Sequence, residues 1–278
     1  MDIIEHKVST KDYLIKSKLP ASDFVINPYI GCTHACKYCY ARFMRKFTGH
    51  SEEWGKFIDI KECNKPISLK KVKGKSVFLS SVTDCYNSCE KKYRITRSIL
   101  KQLVEADCEV TISTKSSLIL RDMDILKNFK NLKVALSINT LNESFRADMD
   151  QGSSIAERVS ALKELHQAGI YTVLFMSPIF PYITEWKDII AITKEMVSEY
   201  WFENLNLRGE YKHIILSYIE DAYPNYVEAY HKIYLEKDMA YWITLANSLS
   251  LYCNDMGVRY VNYFYHDQKK RDKMICLY

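Results

Sequence analysis

The 278 residues include 39 Lys and Arg against 34 Asp and Glu, a formal net charge of +5, and 47% of them are hydrophobic. Such a chain is long enough for one large α/β domain or two small ones, and its modest charge permits an anionic partner without requiring one. The charged N-terminus is no signal peptide and no apolar run is long enough to span a membrane, so we expect a cytoplasmic protein whose nine cysteines serve metal or redox chemistry.

Six short apolar runs, rich in β-branched and aromatic residues, predict strands that are buried on both faces. Helical patterns lie between several of them; over 153–169, Ser154 and Glu157 predict a capping box and Gly169 predicts the end of the helix. The alternation predicts an α/β fold with a parallel sheet, either open and doubly wound or a partial (β/α)6 TIM-like barrel, and we favour the barrel. The predicted strands are 24–30, 76–81, 109–114, 132–138, 170–176 and 202–207, and the predicted helices are 90–106, 153–169 and 184–200.

The chain is predicted to have three parts. Residues 1–20 form an N-terminal arm, residues 21–210 form the barrel core, and residues 211–278 form a mostly helical C-terminal extension that packs on the core. The extension is assigned because the strand–helix alternation stops after Arg208, and because Trp242, Leu245 and Leu249 fall on one helical face.

The loop after the first predicted strand contains three cysteines. In NPYIGCTHACKYCYAR, residues 27–42, Cys32, Cys36 and Cys39 leave gaps of three and two residues. Three thiolates can bind three irons of a [4Fe–4S] cluster and leave the fourth iron open to a small molecule with an amine and a carboxylate, such as S-adenosylmethionine (SAM). The alternative is a zinc site completed by His34 or a remote residue, but no further Cys or His pair stands at zinc spacing.

The C-x3-C-x2-C spacing, with Tyr38 before the last cysteine, resembles the signature of the radical SAM superfamily. Over about residues 20–185, the stretches NPYIGCTHACKYCYA, VTDCYNSCEKKYRITR, STKSSLILRDMDIL and RVSALKELHQAGIYTVLFMSPIFP resemble the spore photoproduct lyase and photolyase-like group. WFENLNLRG and VNYFYH are similar to a narrower branch, the radical SAM mobile pair protein B type.

The resemblance implies an enzyme that cleaves SAM reductively at a [4Fe–4S] cluster and abstracts hydrogen from a substrate. By analogy that substrate is a nucleic acid or a nucleobase; a peptide or a partner protein is the alternative. The implied partners are a reductant of the flavodoxin or ferredoxin type and a nucleic acid or a partner radical SAM protein, with no membrane. A different class remains open, namely a metal-binding or sensor protein without turnover.

The resemblance also implies roles for single residues. Cys32, Cys36 and Cys39 would ligate the cluster, Tyr38 would lie near the SAM adenine, and Tyr40 would flank the cluster. The other implied SAM-binding residues are Thr83 near the methionine part, Lys115 at the carboxylate, Ser137 near the ribose, its neighbour Asn139, and Arg158 in the following helix. Each has a structural alternative: Thr83 and Ser137 satisfy backbone groups, Lys115 is solvated, and Arg158 pairs with Glu157 or Asp150.

The sequence departs from the photolyase-like group at two places. The second-strand cysteine that returns a hydrogen atom in spore photoproduct lyase corresponds to Ser81, and a hydroxyl is a poor hydrogen-atom donor, so the lyase reaction in that form is doubtful. Met149 stands where the group has Glu-Pro, with Asp148 and Asp150 as neighbours that can substitute.

Two further cysteines lie nearby in TDCYNSCE. Cys85 and Cys89 are candidates for a hydrogen donor, a redox pair or additional ligands, or they are half-buried thiols that behave as small apolar side chains. With Asp84 and Tyr40 they are our candidate catalytic residues. The remaining cysteines, at 63, 108, 253 and 276, show no pairing pattern.

Basic residues cluster at 70–75 and 269–273, and aromatic residues crowd 260–266. A nucleic-acid groove uses such residues, but so do an ordinary surface loop and a packed terminus, and the small net charge favours the second interpretation.

Overall fold

A computed structural model of the protein describes residues 3–19 and 22–264. Eleven strands form two sheets in this part of the chain. They are β1 (Ile4–Ser9), β2 (Leu14–Lys16), β3 (Phe24–Ile26), β4 (Tyr29–Ile30), β5 (Phe57–Glu62), β6 (Ser76–Leu79), β7 (Glu109–Thr114), β8 (Leu132–Ser137), β9 (Tyr171–Ile179), β10 (Glu199–Asn204) and β11 (Tyr260–Asn262).

The main sheet has eight strands in the order β11-β10-β9-β8-β7-β6-β3-β2. All of its neighbouring pairs are parallel except β2 with β3, which is antiparallel and lies at one edge. Each predicted strand supplies one consecutive member of the parallel set β3, β6, β7, β8, β9 and β10. The prediction of an α/β fold with a partial TIM-like barrel is therefore confirmed, and the C-terminal ends of these strands share one edge.

The helices pack on the main sheet and cover its apolar side chains in one large core. They are α1 (Leu69–Val72), α2 (Glu90–Tyr93), α3 (Ile95–Leu103), α4 (Met123–Leu126), α5 (Glu143–Met149), α6 (Ile155–Gln167), α7 (Trp186–Thr193), α8 (Gly209–Ala222), α9 (Val227–Tyr234) and α10 (Ala240–Asp255). Short 3-10 helices cover Tyr40–Phe47, Ser117–Asp122, Lys194–Met196 and Pro224–Tyr226. Helix α6 begins with the predicted capping box of Ser154 and Glu157.

Several predicted elements differ in their bounds: the strand predicted over 202–207 is β10, Glu199–Asn204, and the strand predicted over 170–176 extends to Ile179 in β9. Three other differences have a clear physical cause. The strand predicted over 24–30 splits into β3 and β4 around Pro28, which has no N–H for a sheet ladder. The helix predicted over 90–106 breaks at Arg94, whose φ of +52° lies in the left-handed region. The helix predicted over 184–200 ends earlier because Tyr200 belongs to β10, where it is fully buried.

Both terminal regions contain strands that the sequence pattern does not predict. In the predicted arm, β1 pairs in parallel with β5 and β2 pairs with β3, while β4 and β5 complete a small sheet in the order β1-β5-β4. The predicted C-terminal extension provides α9 and α10, preceded by α8, which begins at Gly209, and it also places β11 beside β10 in the main sheet.

Trp242, Leu245 and Leu249 are buried on α10, as the helical face predicts. The basic cluster at 269–273, Cys276 and the end of the aromatic run lie outside the described residues. Among the described helices, none is both long and apolar enough to cross a membrane.

Candidate functional site

The three-cysteine loop begins directly after β4. Gly31 has a φ of +88°, and a Cβ there would approach the Phe57 carbonyl oxygen to 2.6 Å, so this turn requires glycine. Thr83, from the loop after β6, donates its hydroxyl hydrogen to the Gly31 carbonyl over 2.5 Å. The Thr83 side chain thus satisfies a backbone carbonyl, as its structural alternative proposed, and it holds the start of the cysteine loop.

The thiols of Cys32, Cys36 and Cys39 lie together in the interior. Cys32 and Cys36 are 7% and 8% exposed. Burial raises the pKa of all three thiols, and the Asp84 carboxylate for Cys32 and the Asp150 carboxylate for Cys36 raise it further, as do neighbouring cysteines of the loop. The three free thiols thus lie within electrostatic range of one another, and together they form a donor set for a metal cluster.

The loop is fixed to the segment between α5 and α6. The backbone N–H of Lys37 donates to the Met149 carbonyl over 2.9 Å, and that of Gln151 donates to the His34 carbonyl over 2.7 Å. The buried Tyr38 hydroxyl donates to the Asp150 carboxylate over 3.0 Å. Of the two acidic neighbours of Met149, Asp150 makes this contact, whereas Asp148 accepts from the Tyr218 hydroxyl over 2.7 Å.

Arg158 and Asp150 form an ion pair that is wholly buried, not the surface pair of the alternative interpretation. The guanidinium also donates to the Ser153 and Ser137 carbonyls over 2.7 and 3.1 Å. Burial opposes ionisation of Asp150, but the charges of Arg158 and Lys115 outweigh it and lower the pKa of that carboxyl. The pair joins the cysteine loop, through Tyr38, to the end of β8 at Ser137.

Asp84 joins the ends of β6 and β7. Its carboxylate accepts from the Thr114 hydroxyl and from the Lys115 backbone N–H, each over 2.8 Å. His34 Nε2 lies 3.1 Å from the same carboxylate, within ion-pair distance but outside hydrogen-bond geometry. Burial alone would raise the pKa of Asp84; His34 and the two donors reverse this and lower it to about 2. Its contacts are those of a positioning residue.

The side chain of Lys115 points toward the cysteine loop. Its ammonium lies 5.7 Å from the centre of the Tyr38 ring, and its charge lowers the pKa values of Cys36, Cys39 and Asp150 against the effect of burial. Lys115 thus lies beside the cysteine loop, and its role in holding a cofactor carboxylate stays a prediction.

Ser137 is the last residue of β8 and Asn139 lies two residues beyond it; they are 3% and 4% exposed. The Ser137 carbonyl accepts from Arg158, and Asn139 donates through its side-chain amide to the Pro178 carbonyl over 3.0 Å. These contacts link β8 to β9 at the same edge of the sheet.

Tyr40 is 56% exposed, and its hydroxyl donates to the Ser81 carbonyl. The Ser81 hydroxyl accepts from the Asn27 side chain over 2.9 Å. Ser81, at the position that corresponds to the hydrogen-donating cysteine of spore photoproduct lyase, therefore lies next to Tyr40, and its hydroxyl already accepts a hydrogen bond.

Cys85 and Cys89 lie in two different apolar clusters. Cys85 has no exposed surface and belongs to the main core, whereas Cys89 packs with Tyr29, Ile58 and Ile60. Burial raises the pKa of both thiols, and the Glu5 carboxylate, which accepts from Cys89 Sγ over 3.6 Å, raises that of Cys89 to about 11. A catalytic role for either stays a prediction, and their surroundings favour the alternative of packed thiols.

Two residues at this edge carry no signal in the sequence pattern. Trp54 is 4% exposed and packs with Cys32, Cys39 and Phe57. Glu203 lies near the end of β10 and accepts from the Ser177 hydroxyl. Burial raises the pKa of Glu203, while Ser177 and the charge of Lys115 oppose the rise. Both lie far from the cysteines in sequence, so only the fold reveals them.

The residues present fit an iron–sulfur cluster. Among the described residues, the buried side-chain polar atoms without a hydrogen-bond partner include His34 Nε2, Arg42 Nε and Trp54 Nε1. All three residues lie in or against the cysteine loop. His34 Nε2 is 3.1 Å from the Asp84 carboxylate and the Trp54 N–H approaches Cys39, whose pKa this contact lowers, whereas Arg42 Nε has no hydrogen-bond partner within the described part of the chain. Buried donors normally have partners, and cluster-bound thiolates and sulfides accept hydrogen bonds.

The family model described as the radical SAM superfamily matches residues 26–195. That span includes the cysteine loop and the strand ends described above, and the chain belongs to this superfamily. The prediction of a [4Fe–4S] cluster and SAM as cofactors is thereby confirmed at the level of the family.

Relatives exist in archaea and in a phage. An uncharacterized protein of Methanocaldococcus jannaschii is 42% identical over 227 residues, which cover 80% of this chain and 85% of the relative. A "Radical SAM Nalpha-GlyT isomerase" of Pseudomonas phage M6 is 25% identical over 213 residues, 74% of this chain and 42% of that protein.

Solved structures share the fold. A spore photoproduct lyase mutant with bound AdoMet and dinucleoside spore photoproduct has a TM-score of 0.56 at 15% identity, covering 77% of this chain and 66% of the lyase. Streptococcus suis SuiB bound to its precursor peptide SuiA has a TM-score of 0.56 at 16% identity, covering 87% of this chain and 48% of SuiB.

Proposed function

We propose that this protein is a radical SAM enzyme that acts on a nucleobase in a nucleic acid. The observation that carries the proposal is the group of three free thiols at the C-terminal edge of the parallel sheet, beside one cation and an internal ion pair. The cofactors, when bound, supply one-electron cleavage of SAM to methionine and a 5′-deoxyadenosyl radical that takes a hydrogen atom from the substrate. A reductant of the flavodoxin or ferredoxin type in the cytoplasm would supply the electron.

In this proposal the residues divide into ligands, cofactor contacts and positioning residues. Cys32, Cys36 and Cys39 would hold the cluster, and Lys115 would hold the SAM carboxylate. The SAM site would be lined by Tyr38, Ser137 and Asn139. Thr83 would contribute to it indirectly, because its hydroxyl holds the turn at Gly31. Asp84 and Arg158 would position the loop and the strand ends. Tyr40 would stand at the opening, between cofactor and substrate.

The segment after the cysteine loop supports a nucleic-acid substrate. It is a 3-10 helix, Tyr40–Phe47, in which residues three apart align, so that Tyr40, Phe43 and Lys46 form one row. Phe43 and Phe47 are 46% and 75% exposed. Exposed aromatic rings with neighbouring cations bind single-stranded nucleic acid by stacking and by charge. The dinucleoside spore photoproduct bound to spore photoproduct lyase supports the same class.

SAM cleavage is the first test. The protein, reconstituted without oxygen and reduced with dithionite, is expected to release 5′-deoxyadenosine from SAM, whereas Cys36→Ala is not. If a preparation with four irons and four sulfides per chain releases none, and calorimetry detects no SAM binding, the proposal is wrong and the metal-binding alternative gains support.

The substrate class is tested by binding and by isotope transfer. Each stacked base contributes about 1–3 kcal/mol, so the double variant F43A/F47A should bind a short single-stranded oligodeoxynucleotide at least tenfold more weakly. Leu251→Ala removes a side chain of similar exposure, 73%, on α10 and serves as the control. Deuterium should pass from deuterated oligonucleotides into 5′-deoxyadenosine. Transfer from deuterated peptides only, with oligonucleotide binding unchanged in F43A/F47A, would favour a peptide substrate.

A further inference from the structure

A second group of possible metal ligands lies on the small sheet, behind the cysteine loop. His6 is on β1 and Asp59 is on β5, and the two residues are partners in the parallel register of these strands. His50 reaches them from the segment that precedes β5. One ligand atom from each of the three side chains lies within 4.8 Å of the others.

The geometry around His50 resembles that of a metal ligand. Its Nε2 lies 2.8 Å from Asp59 Oδ1, and its Nδ1 lies 3.1 Å from Glu52 Oε2. A histidine that binds a metal through one ring nitrogen usually donates the other N–H to a carboxylate, which fixes the tautomer and the ring. The side chains of His50 and Asp59 are each 5% exposed, while His6 is open to solvent.

The His50 ring is also stacked against two other rings. Its centre lies 3.9 Å from that of Phe57 at an interplanar angle of 18°, and 4.9 Å from that of His6 at 28°. Two imidazoles and one carboxylate, with a solvent-facing side, match the ligand sets that proteins use for zinc. Tetrahedral bonds of about 2.0–2.1 Å would place ligand atoms about 3.3 Å apart. His50 Nε2 and Asp59 Oδ1 are already near this separation, whereas the exposed His6 ring would have to rotate out of its stack on His50 to bind the same ion.

We propose that His6, His50 and Asp59 bind a divalent transition-metal ion, with zinc as the best match, and that Glu52 orients His50. The ion would join β1, β5 and the segment around His50. Phe57, which stacks on His50, contacts the cysteine loop through its carbonyl oxygen at Gly31 and packs with Cys32 and Trp54. The ion would therefore be structural and would support the wall of the cysteine loop. This proposal does not rest on the proposed function.

Zinc binding tests the site directly. The full chain, with its iron–sulfur cluster reconstituted, should retain one zinc per chain by elemental analysis after passage over a desalting column. His6→Ala and His50→Ala should lose that zinc, and Glu52→Gln should weaken zinc binding about 10–100-fold. His213→Ala, an exposed histidine on α8, is the matched control and should retain the zinc.

Co²⁺ absorption spectra distinguish binding at this site from binding at the cysteine loop. Co²⁺ bound by nitrogen and oxygen ligands shows visible d–d bands without the charge-transfer band of a thiolate, and these bands should vanish in His6→Ala. Added zinc should also raise the unfolding temperature of the wild type but not that of His6→Ala. Because His6 is exposed, this variant is expected to fold even where His50→Ala does not. Equal zinc content in wild type and His6→Ala, no zinc in the folded wild type, or a thiolate–cobalt band alone would overturn the proposal.

Discussion

Two loops, one after β4 and one after β6, each contain cysteines, and the surroundings of those cysteines differ. The loop after β4 places Cys32, Cys36 and Cys39 within electrostatic range of one another and beside the charges of Lys115 and Asp150. The loop after β6 places Cys85 and Cys89 in separate apolar clusters, and neither thiol is among the main groups that shift the pKa of the other. Thiols at strand ends are therefore not equivalent. A group of thiols can bind a cluster when the thiols lie near one another and near charged groups. A thiol that has only apolar neighbours contributes packing instead.

The largest expected effect is the loss of the cluster. Because three thiolates must bind together, Cys36→Ala should reduce iron and sulfide from about four each per chain to near zero and abolish 5′-deoxyadenosine formation. Cys63→Ala, a thiol remote from the loop in sequence, should leave both unchanged. Iron and sulfide assays on anaerobic preparations measure this. If Cys36→Ala kept its full iron content, the loop after β4 would not be the cluster-binding loop.

The next effect concerns the ion pair that holds the cysteine loop. Arg158→Ala leaves Asp150 buried and without its guanidinium partner, which costs about 3–5 kcal/mol in comparable buried pairs. The free energy of unfolding, measured by urea denaturation, should fall by that amount. Lys163→Ala, an exposed residue on the same helix, should change it little. A loss below about 1 kcal/mol in Arg158→Ala would mean that the ion pair does not hold the loop.

A smaller effect is expected at the cation of the site. Hydrogen bonds to charged groups contribute about 1.5–3 kcal/mol, so Lys115→Ala should weaken SAM binding about 10–150-fold while iron content stays constant. Calorimetry on the reconstituted protein measures this, with the exposed Lys127→Ala as the control. If Lys115→Ala binds SAM as tightly as the wild type, Lys115 does not contact SAM and is an ordinary solvated lysine.

The smallest effect is expected at the second pair of cysteines. Cys85→Ala and Cys89→Ala should each cost about 1 kcal/mol of stability through the lost packing and should leave 5′-deoxyadenosine release within twofold of the wild type. Substrate turnover distinguishes a packed thiol from a hydrogen donor. If either variant releases 5′-deoxyadenosine but forms no product, that thiol is a hydrogen donor.

Much of the fold was accessible from hydrophobic periodicity. The six parallel strands, the capping box at Ser154 and the apolar face of α10 follow from patterns within a dozen residues, and all are confirmed. The strands β1, β2, β5 and β11 were not predicted. The three-residue strands β2 and β11 carry too few residues for a pattern, and β1 is mostly exposed, so its stability comes from pairing with β5.

The sequence by itself determined the donor set: three thiols with gaps of three and two residues require only a local turn to converge. Only the tertiary structure decided that Asp150 pairs with Arg158, that Asp84 joins two strand ends, and that Cys85 and Cys89 lie apart. These relations join residues from different βα units, and their geometry is fixed by strand register and by the common edge of a parallel sheet. A linear pattern encodes turns and periodicity, but it does not encode which strand ends become neighbours.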